Sequence, residues 1–172
     1  MGQAREVMSW PITVRLATLE DLPAIDEVYN HYVRTSTCTY QIAPGTAVER
    51  AAWLDEHGPC HPATVAVAGD ELWGFGSLSP FRARDGYRHT VENSVYVRHD
   101  RQRRGVGRLL LADLVTRARA LGHHAIIAGI SADQPASLAL HQAHGFVEVA
   151  RLAEVGRKFE RWLDVVYLQL LL

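Results

Sequence analysis

Cysteine is nearly missing from this chain, with two among 172 residues, Cys38 and Cys60. Two thiols without paired spacing make neither a disulfide framework nor a cysteine-based zinc site, so both are expected to be free. Long apolar runs are also missing: nothing approaches the roughly 20 residues of a membrane span. The opening stretch, Met1 to Pro11, carries Arg5 and Glu6 and has no apolar centre of the signal-peptide kind. Gly2 invites a myristoylation reading, but Glu6 stands where that motif has Ser or Thr. The expectation is a cytoplasmic chain with no membrane partner. Charge of one sign is not in excess either, since 18 Lys and Arg face 19 Asp and Glu. That balance argues against general electrostatic binding of nucleic acid. What is present, 48% hydrophobic and 22% charged residues, suits one globular domain over residues 1–172 with an ordinary core.

The apolar periodicity changes several times along the chain. Ile12, Val14 and Leu16 alternate as a strand, and Thr18 with Asp21 three residues on reads as a helix start. That helix carries Leu22, Ile25, Val28, Tyr29 and Tyr32 on one face and runs into the β-branched Thr35 to Thr39. Thr46 with Glu49 is a second capping box, opening a short helix through Trp53 and Leu54 that Gly58-Pro59 stops. Thr64 to Ala68 and Glu71 to Leu78, joined by Gly69-Asp70, predict a hairpin, and Thr90 to Val97 a further strand. Leu109, Leu110, Leu114, Ala118 and Leu121 recur at helical spacing from Val106, and Gly122 closes that helix. Ala125 to Ile130 suits a buried strand, about Ala136 to Ala143 a short helix, and Phe146 to Leu152 and Trp162 to Leu172 two final strands. The order β α α β β β α β α β β predicts an α/β chain: a mixed, mostly antiparallel sheet flanked by helices, with one strand–helix–strand crossover.

That crossover contains the most informative segment, Gln102-Arg103-Arg104-Gly105-Val106-Gly107-Arg108. Glycines let the backbone approach phosphate oxygens, and the helix that follows turns unpaired N–H groups and its positive dipole end toward the same anion. A Rossmann fingerprint wants a third glycine where Leu110 stands, and no Gly-x-x-x-x-Gly-Lys-Ser/Thr run exists. A pyrophosphate held by backbone and arginine remains, with no metal. His141 with His144, and His123-His124, find no carboxylate or cysteine nearby in sequence to complete a metal site.

These residues resemble the GNAT acyl-CoA-dependent N-acetyltransferases, whose signature Gln/Arg-x-x-Gly-x-Gly/Ala is matched by Gln102 to Gly107. Within that family the chain most resembles the phosphinothricin and methionine sulfoximine N-acetyltransferase group. The matching segments are Asn30-His31-Tyr32, Thr35-Ser36-Thr37, Phe81 to Arg84 with Tyr87, Thr90-Val91-Glu92 with Ser94 to Val97, Leu140-His141 with Gly145-Phe146, and Gly156 to Phe159 with Trp162-Leu163-Asp164. One departure is Gln134, standing where the family has Asn three residues before Ser137.

The resemblance implies a GNAT fold whose central strands splay and hold the pantetheine arm of acetyl-CoA between 94–97 and 125–130. Cofactor contacts then fall on Val95, Tyr96, Val97, Gln102, Arg103, Arg104, Gly105, Val106, Gly107, Arg108, Gln134 and Ser137, with a backbone N–H near Tyr96 or Val97 facing the thioester carbonyl. The nucleophile is the substrate's amine, which must lose a proton first. Glu92 is the candidate base, against its reading as a solvated strand-end carboxylate. His141 is the candidate to protonate the leaving thiolate or to hold water, against a histidine facing helix-end carbonyls. Arg82, Arg84 and Tyr87, with Tyr32, Thr37, Thr90 and Lys158, are candidates for the substrate, since guanidinium forks match carboxylate and phosphinate oxygens. Arginines in a solvated loop are the competing reading. The implied activity is acetyl transfer to the α-amine of phosphinothricin, methionine sulfoximine or methionine sulfone. The alternatives are another amine (polyamine, aminoglycoside or protein N-terminus) and a non-catalytic acyl-CoA sensor. Lys158, Phe159, Arg161 and Trp162 lie where relatives pair subunits, so a homodimer is expected.

Overall fold

A computed structural model describes residues 11–172; the expectations placed on Gly2, Arg5 and Glu6 lie outside the described residues. The elements, in chain order, are β1 (Thr13–Leu16), α1 (Leu22–Thr35), α2 (Ala47–Asp55), β2 (Ala63–Ala68), β3 (Glu71–Pro80), β4 (Thr90–Val97), α3 (Val106–Ala120), β5 (Ala125–Ser131), α4 (Pro135–Gln142), β6 (Val147–Lys158) and β7 (Arg161–Leu171). The strands form a seven-stranded sheet in the order β1-β2-β3-β4-β5-β7-β6. Every pairing is antiparallel except β4 with β5. This is the mixed, mostly antiparallel order that the sequence predicts.

Local chemistry accounts for the helix boundaries. Asp21 accepts from the Thr18 backbone N–H at 2.8 Å, and Thr46 accepts from the Glu49 N–H at 3.3 Å, so both capping boxes hold orphan donors at helix starts. Helix α3 buries Val106, Leu110, Leu111, Leu114 and Ala118 on the sheet. Each leucine so buried contributes about 1.5–3 kcal/mol. On the opposite face α1 packs Ile25 and Val28 onto Val65, Leu72 and Phe75.

Two features position the site. Strands β4 and β5 pair in register only at Thr90↔Ala125, Val91↔Ile126 and Glu92↔Ile127. Beyond Glu92 they diverge, leaving a wedge whose apex lies between Glu92 and Ile127. The second feature corrects the sequence reading. Strand β6 does not stop at Leu152 but runs to Lys158, and β7 begins at Arg161. The two-residue turn between them is Phe159-Glu160, with φ of 49° and 61°. Tight hairpin turns need positive φ at both central residues and normally recruit Asn or Gly, and neither is present here. Strand β6 is also exposed on both faces over most of its length, so no alternating apolar pattern marks it.

Candidate active site

The wedge between β4 and β5 opens into a cleft of about 470 Å³. Its walls are Asn93 to Val97 on one side and Ala128 to Ser131 on the other, and its mouth carries Gln102, Arg103, Gly105, Val106, Gly107 and Arg108. Beyond the last paired residues, backbone groups of the two strands that face each other have no strand partner. An extended chain with amide groups fits there as a further strand.

At the mouth, Gly105 adopts φ 82° as the residue before α3. The first intrahelical bond is Leu109 N–H to Gly105 O, 3.1 Å, so the N–H groups of residues 106–108 stand free ahead of the helix. Gly107 lets α3 sit close to its neighbours, since a Cβ there would meet Leu140 Cδ2 at 3.2 Å and Val97 Cγ2 at 3.5 Å. Arg103 and Arg108 line the cleft. Arg104 instead lies over the Trp73 ring, 5.6 Å from its centroid, outside the cleft lining. Among the described residues, none of the three has a carboxylate partner, whereas neighbouring Arg98 and Arg101 are tied to Glu71 and Asp100. The mouth is therefore an anion site with its charge uncommitted.

Glu92 sits at the apex. Its Oε1 lies 3.3 Å from where a Gly129 Cβ would stand, beside the Tyr167 ring, so the carboxylate reaches across the fork to the cleft wall. Burial raises its pKa above the ordinary glutamate value, and the Arg82 charge offsets only part of that. Arg82 makes no ion pair with that carboxylate; its guanidinium stacks on Phe81 with 4.9 Å to the ring centroid. Phe81 meets Tyr87 edge to face at 5.9 Å. Arg84 and Tyr87 are exposed, and Thr90 is half-buried at the start of β4.

Three other residues expected at the substrate are engaged by partners within the protein. Tyr32 lines the cleft, donating its hydroxyl to Val97 O at 2.6 Å and accepting from Gln102 Nε2 at 2.8 Å. Thr37 is buried and donates to Asp133 Oδ1 at 2.7 Å while accepting from Gln134 Nε2 at 2.8 Å. Gln134, in the place of the family's asparagine, thus lines the cleft with its amide turned toward that network. Lys158 is a clear correction. At 3% exposure, its Nζ donates to Ser36 O and Thr39 O at 2.7 Å each and more weakly to Tyr32 O at 3.5 Å. Its donors are occupied by carbonyls at and beyond the end of α1, which leaves it clamping a loop and not reaching a ligand.

His141, 3% exposed, lines the cleft together with Ser137. Its Nδ1 faces Ser137 O at 2.8 Å and its Nε2 faces Asn93 Nδ2 at 3.0 Å. Burial lowers its pKa. A carbonyl only accepts, so Nδ1 carries the proton and the neutral Nε2 accepts from the asparagine. Sequence reasoning missed Asn93, because a polar residue between matching segments carries no visible signal in one sequence. It likewise missed Cys38, a free thiol whose pKa burial raises and which lines the same cleft. Among the described residues, no group of three or more His, Cys, Asp or Glu is placed to hold a metal. A smaller cavity of about 210 Å³ lies on the other side of the sheet, among Ser77, Ser79, Ser94, Trp53, Glu49 and Arg50. Ser94 and Tyr96 line both spaces.

An open mixed sheet, forked at a parallel pair and ending in a basic glycine turn, defines a protein that holds a long diphosphate-bearing ligand along its strands. The chain belongs to the acetyltransferase (GNAT) family, whose model matches residues 25–146. It is 41% identical over 160 residues to the L-amino acid N-acyltransferase MnaT of Escherichia coli K12, covering 92% of this chain and 93% of that protein. It is 38% identical to the L-methionine sulfoximine/L-methionine sulfone acetyltransferase of Salmonella typhimurium, over 92% of this chain and 94% of that one. Among solved structures, a phosphinothricin acetyltransferase from Sinorhizobium meliloti in complex with acetyl-CoA superposes with a TM-score of 0.90 at 36% identity, covering 94% of this chain and 88% of that one.

Proposed function

We propose that the chain transfers acetyl from acetyl-CoA to the α-amine of a small amino-acid analogue of the methionine sulfoximine, methionine sulfone or phosphinothricin kind. The observation that carries this reading is Glu92, a half-buried carboxylate with a raised pKa at the apex of the fork, close enough to Arg82 to feel its charge. The uncommitted arginines and free N–H groups at the mouth hold the diphosphate, and the pantetheine arm runs along the fork to bring the thioester to the apex. The acceptor arrives as an ammonium ion. Glu92, directly or through water, removes one proton, the amine nitrogen attacks the thioester carbonyl carbon, and strand N–H groups near Tyr96 and Val97 stabilise the oxyanion. The intermediate loses its second amine proton as the C–S bond breaks, giving amide and coenzyme A thiol. Arg82, with Arg84 and Tyr87 on the same link, meets the acceptor's carboxylate.

The relatives named for amino acids and their analogues support this acceptor class. A polyamine or aminoglycoside prefers an acidic pocket, and the link at 81–89 presents arginines. The test is thiol release from acetyl-CoA with methionine sulfoximine, phosphinothricin, free amino acids and spermidine. Turnover with the first two and none with spermidine is the expected result, and turnover with spermidine alone overturns the acceptor assignment. A non-catalytic acyl-CoA sensor is the second reading, and it predicts acetyl-CoA binding with no turnover on any amine. A homodimer formed through the β6–β7 hairpin belongs to the proposal, as does the reducing cytoplasm, where Cys38 and Cys60 stay free.

A further inference from the structure

The smaller cavity, about 210 Å³, lies on the same face of the sheet as Glu92. Side chains alternate along a strand and cross-strand partners share a face, so the pairs Phe75↔Tyr96, Ser77↔Ser94 and Ser79↔Glu92 put all six residues on the face that α1 covers. Five of them line the cavity, and the sixth, Glu92, is directly across from Ser79. From α2, Arg50 lines the same space. Its Nε donates to Asp26 Oδ1 at 2.8 Å, and its guanidinium carbon lies over the Tyr29 and Trp53 rings at 4.8 and 4.9 Å. Nη1 and Nη2 meet no hydrogen-bond partner among the described residues, although Arg50 is only 8% exposed. The partnerless side-chain atoms that are sealed from solvent are Thr64 Oγ1, Asn93 Oδ1 and Arg98 Nε. The Nη atoms are not among them, so a buried cation keeps its donor edge open to the cavity that it lines.

Charge selects what that edge takes. Asp26 already offsets the guanidinium, and Glu49, whose Oε2 accepts from the Thr46 N–H at 2.7 Å, lines the same cavity. A further full negative charge would face both carboxylates, whereas an uncharged oxygen with a strong bond dipole gains the donors without that repulsion. Sulfone and sulfoximine groups are of this kind. A thioether is only a weak acceptor, and a phosphinate carries the unwanted charge. Length agrees, since β4 and β3 lie about 4.8 Å apart, a step that the two methylenes and sulfur of a methionine side chain take from an α-carbon beside Glu92. We infer that this cavity takes the acceptor's side chain and that Arg50 sets specificity by donating from its Nη edge to the uncharged oxygen of an oxidised methionine sulfur. The inference rests on the acetyl-transfer reading and chooses within it, placing methionine sulfone and sulfoximine ahead of phosphinothricin.

The test is steady-state acetylation by the full chain at saturating acetyl-CoA, comparing kcat/KM for methionine sulfone, methionine and phosphinothricin. Wild type is expected to prefer the sulfone to methionine about ten- to hundredfold, the worth of one hydrogen bond from a charged donor. It is also expected to prefer the sulfone to phosphinothricin. Arg50→Met is expected to lose at least about tenfold of the first preference. Asp26→Asn keeps an acceptor for Nε and removes the countercharge, so phosphinothricin gains on the sulfone by at least about threefold, a shift that a purely structural Arg50 would not produce. Where circular dichroism shows Arg50→Met unfolded, the double variant Asp26→Asn/Arg50→Met leaves no unpaired charge and is read in its place. A wild type with no preference for the sulfone over either competitor overturns the inference whether or not any variant folds. So does an undiminished preference once Arg50 is gone, or an unmoved phosphinothricin ratio in Asp26→Asn. Turnover of none of the three acceptors defeats the acetyl-transfer reading itself, whereas failure of the inference alone leaves turnover and removes only the discrimination.

Discussion

Glu92 and Lys158 are both withdrawn from water, and the partners of each decide what it can do. Lys158 has all its donors on backbone carbonyls, so its charge is spent on structure. Lys158→Met leaves those carbonyls unpaired and costs about 1–3 kcal/mol, a fall of about 2–4 °C in Tm per kcal/mol for a chain of this size. Thermal unfolding with acceptor KM measured alongside checks it: a large KM rise with an unchanged Tm returns Lys158 to the acceptor site. Glu92 has the opposite character. Its pKa is raised first by burial, so the protonated form is favoured in the folded chain. Stability from this group is present in acid and lost as pH rises through its folded pKa, while activity needs the ionised form and fails as pH falls through the same value. Glu92→Gln is therefore expected to lower kcat about 10²-fold or more, keep acetyl-CoA binding, and leave Tm at pH 7 equal or higher. The acid limb of the kcat/KM profile, lying above the usual carboxylate range, disappears in the variant. A profile unchanged by the substitution removes Glu92 from the mechanism.

At the scale of elements, the anion turn and the last hairpin differ in how far sequence reveals them. The turn at 102–108 was legible because glycine spacing, arginines and the helix that follows all signal the same function. Gly105 shows the backbone reason: at φ 82°, nothing lies within 4 Å of the position a Cβ would take, so the demand is conformational and not steric. Gly105→Ala is expected to cost about 1–2 kcal/mol, and to raise KM for acetyl-CoA with kcat at saturation little changed, as steady-state kinetics will show. The hairpin was illegible because Phe159 and Glu160 occupy left-handed conformations without the usual Asn or Gly. Glu160→Gly removes that strain and forfeits an exposed Arg157–Glu160 pair, 3.0 Å apart with Glu160 89% exposed, worth at most about 1 kcal/mol. A gain of up to about 1 kcal/mol in urea unfolding is expected, and a clear loss refutes the strain argument. The site followed the same division. Glu92, Arg82 and the turn are candidates from sequence and resemblance alone, whereas the surroundings of Asn93 and the inward Lys158 depend on partners far away along the chain.

For the molecule as a whole, one edge of the sheet is unfinished. Among the described residues, strand β6 pairs only with β7, and the hairpin exposes Val147, Val149, Val155, Phe159 and Trp162, the last at 61%. A long edge strand with apolar side chains invites pairing unless something covers it. The residues at which relatives were expected to pair divide in two: Lys158 points inward, while Phe159, Arg161 and Trp162 remain on the surface. A second copy seated on this hairpin would cover those side chains and seal the edge, and a stable interface needs about 1,200–2,000 Å² in total. Trp162, with Arg157 over its ring at 5.7 Å, is the large aromatic anchor of the patch. Sedimentation of the wild-type chain at micromolar concentration is expected to give the mass of a dimer and Trp162→Glu that of a monomer, since the substitution removes the aromatic anchor and puts a charge that must be desolvated at the centre of the contact. A wild-type monomer, or a dimer that survives the substitution, means that another surface does the pairing or that the edge stays open to solvent.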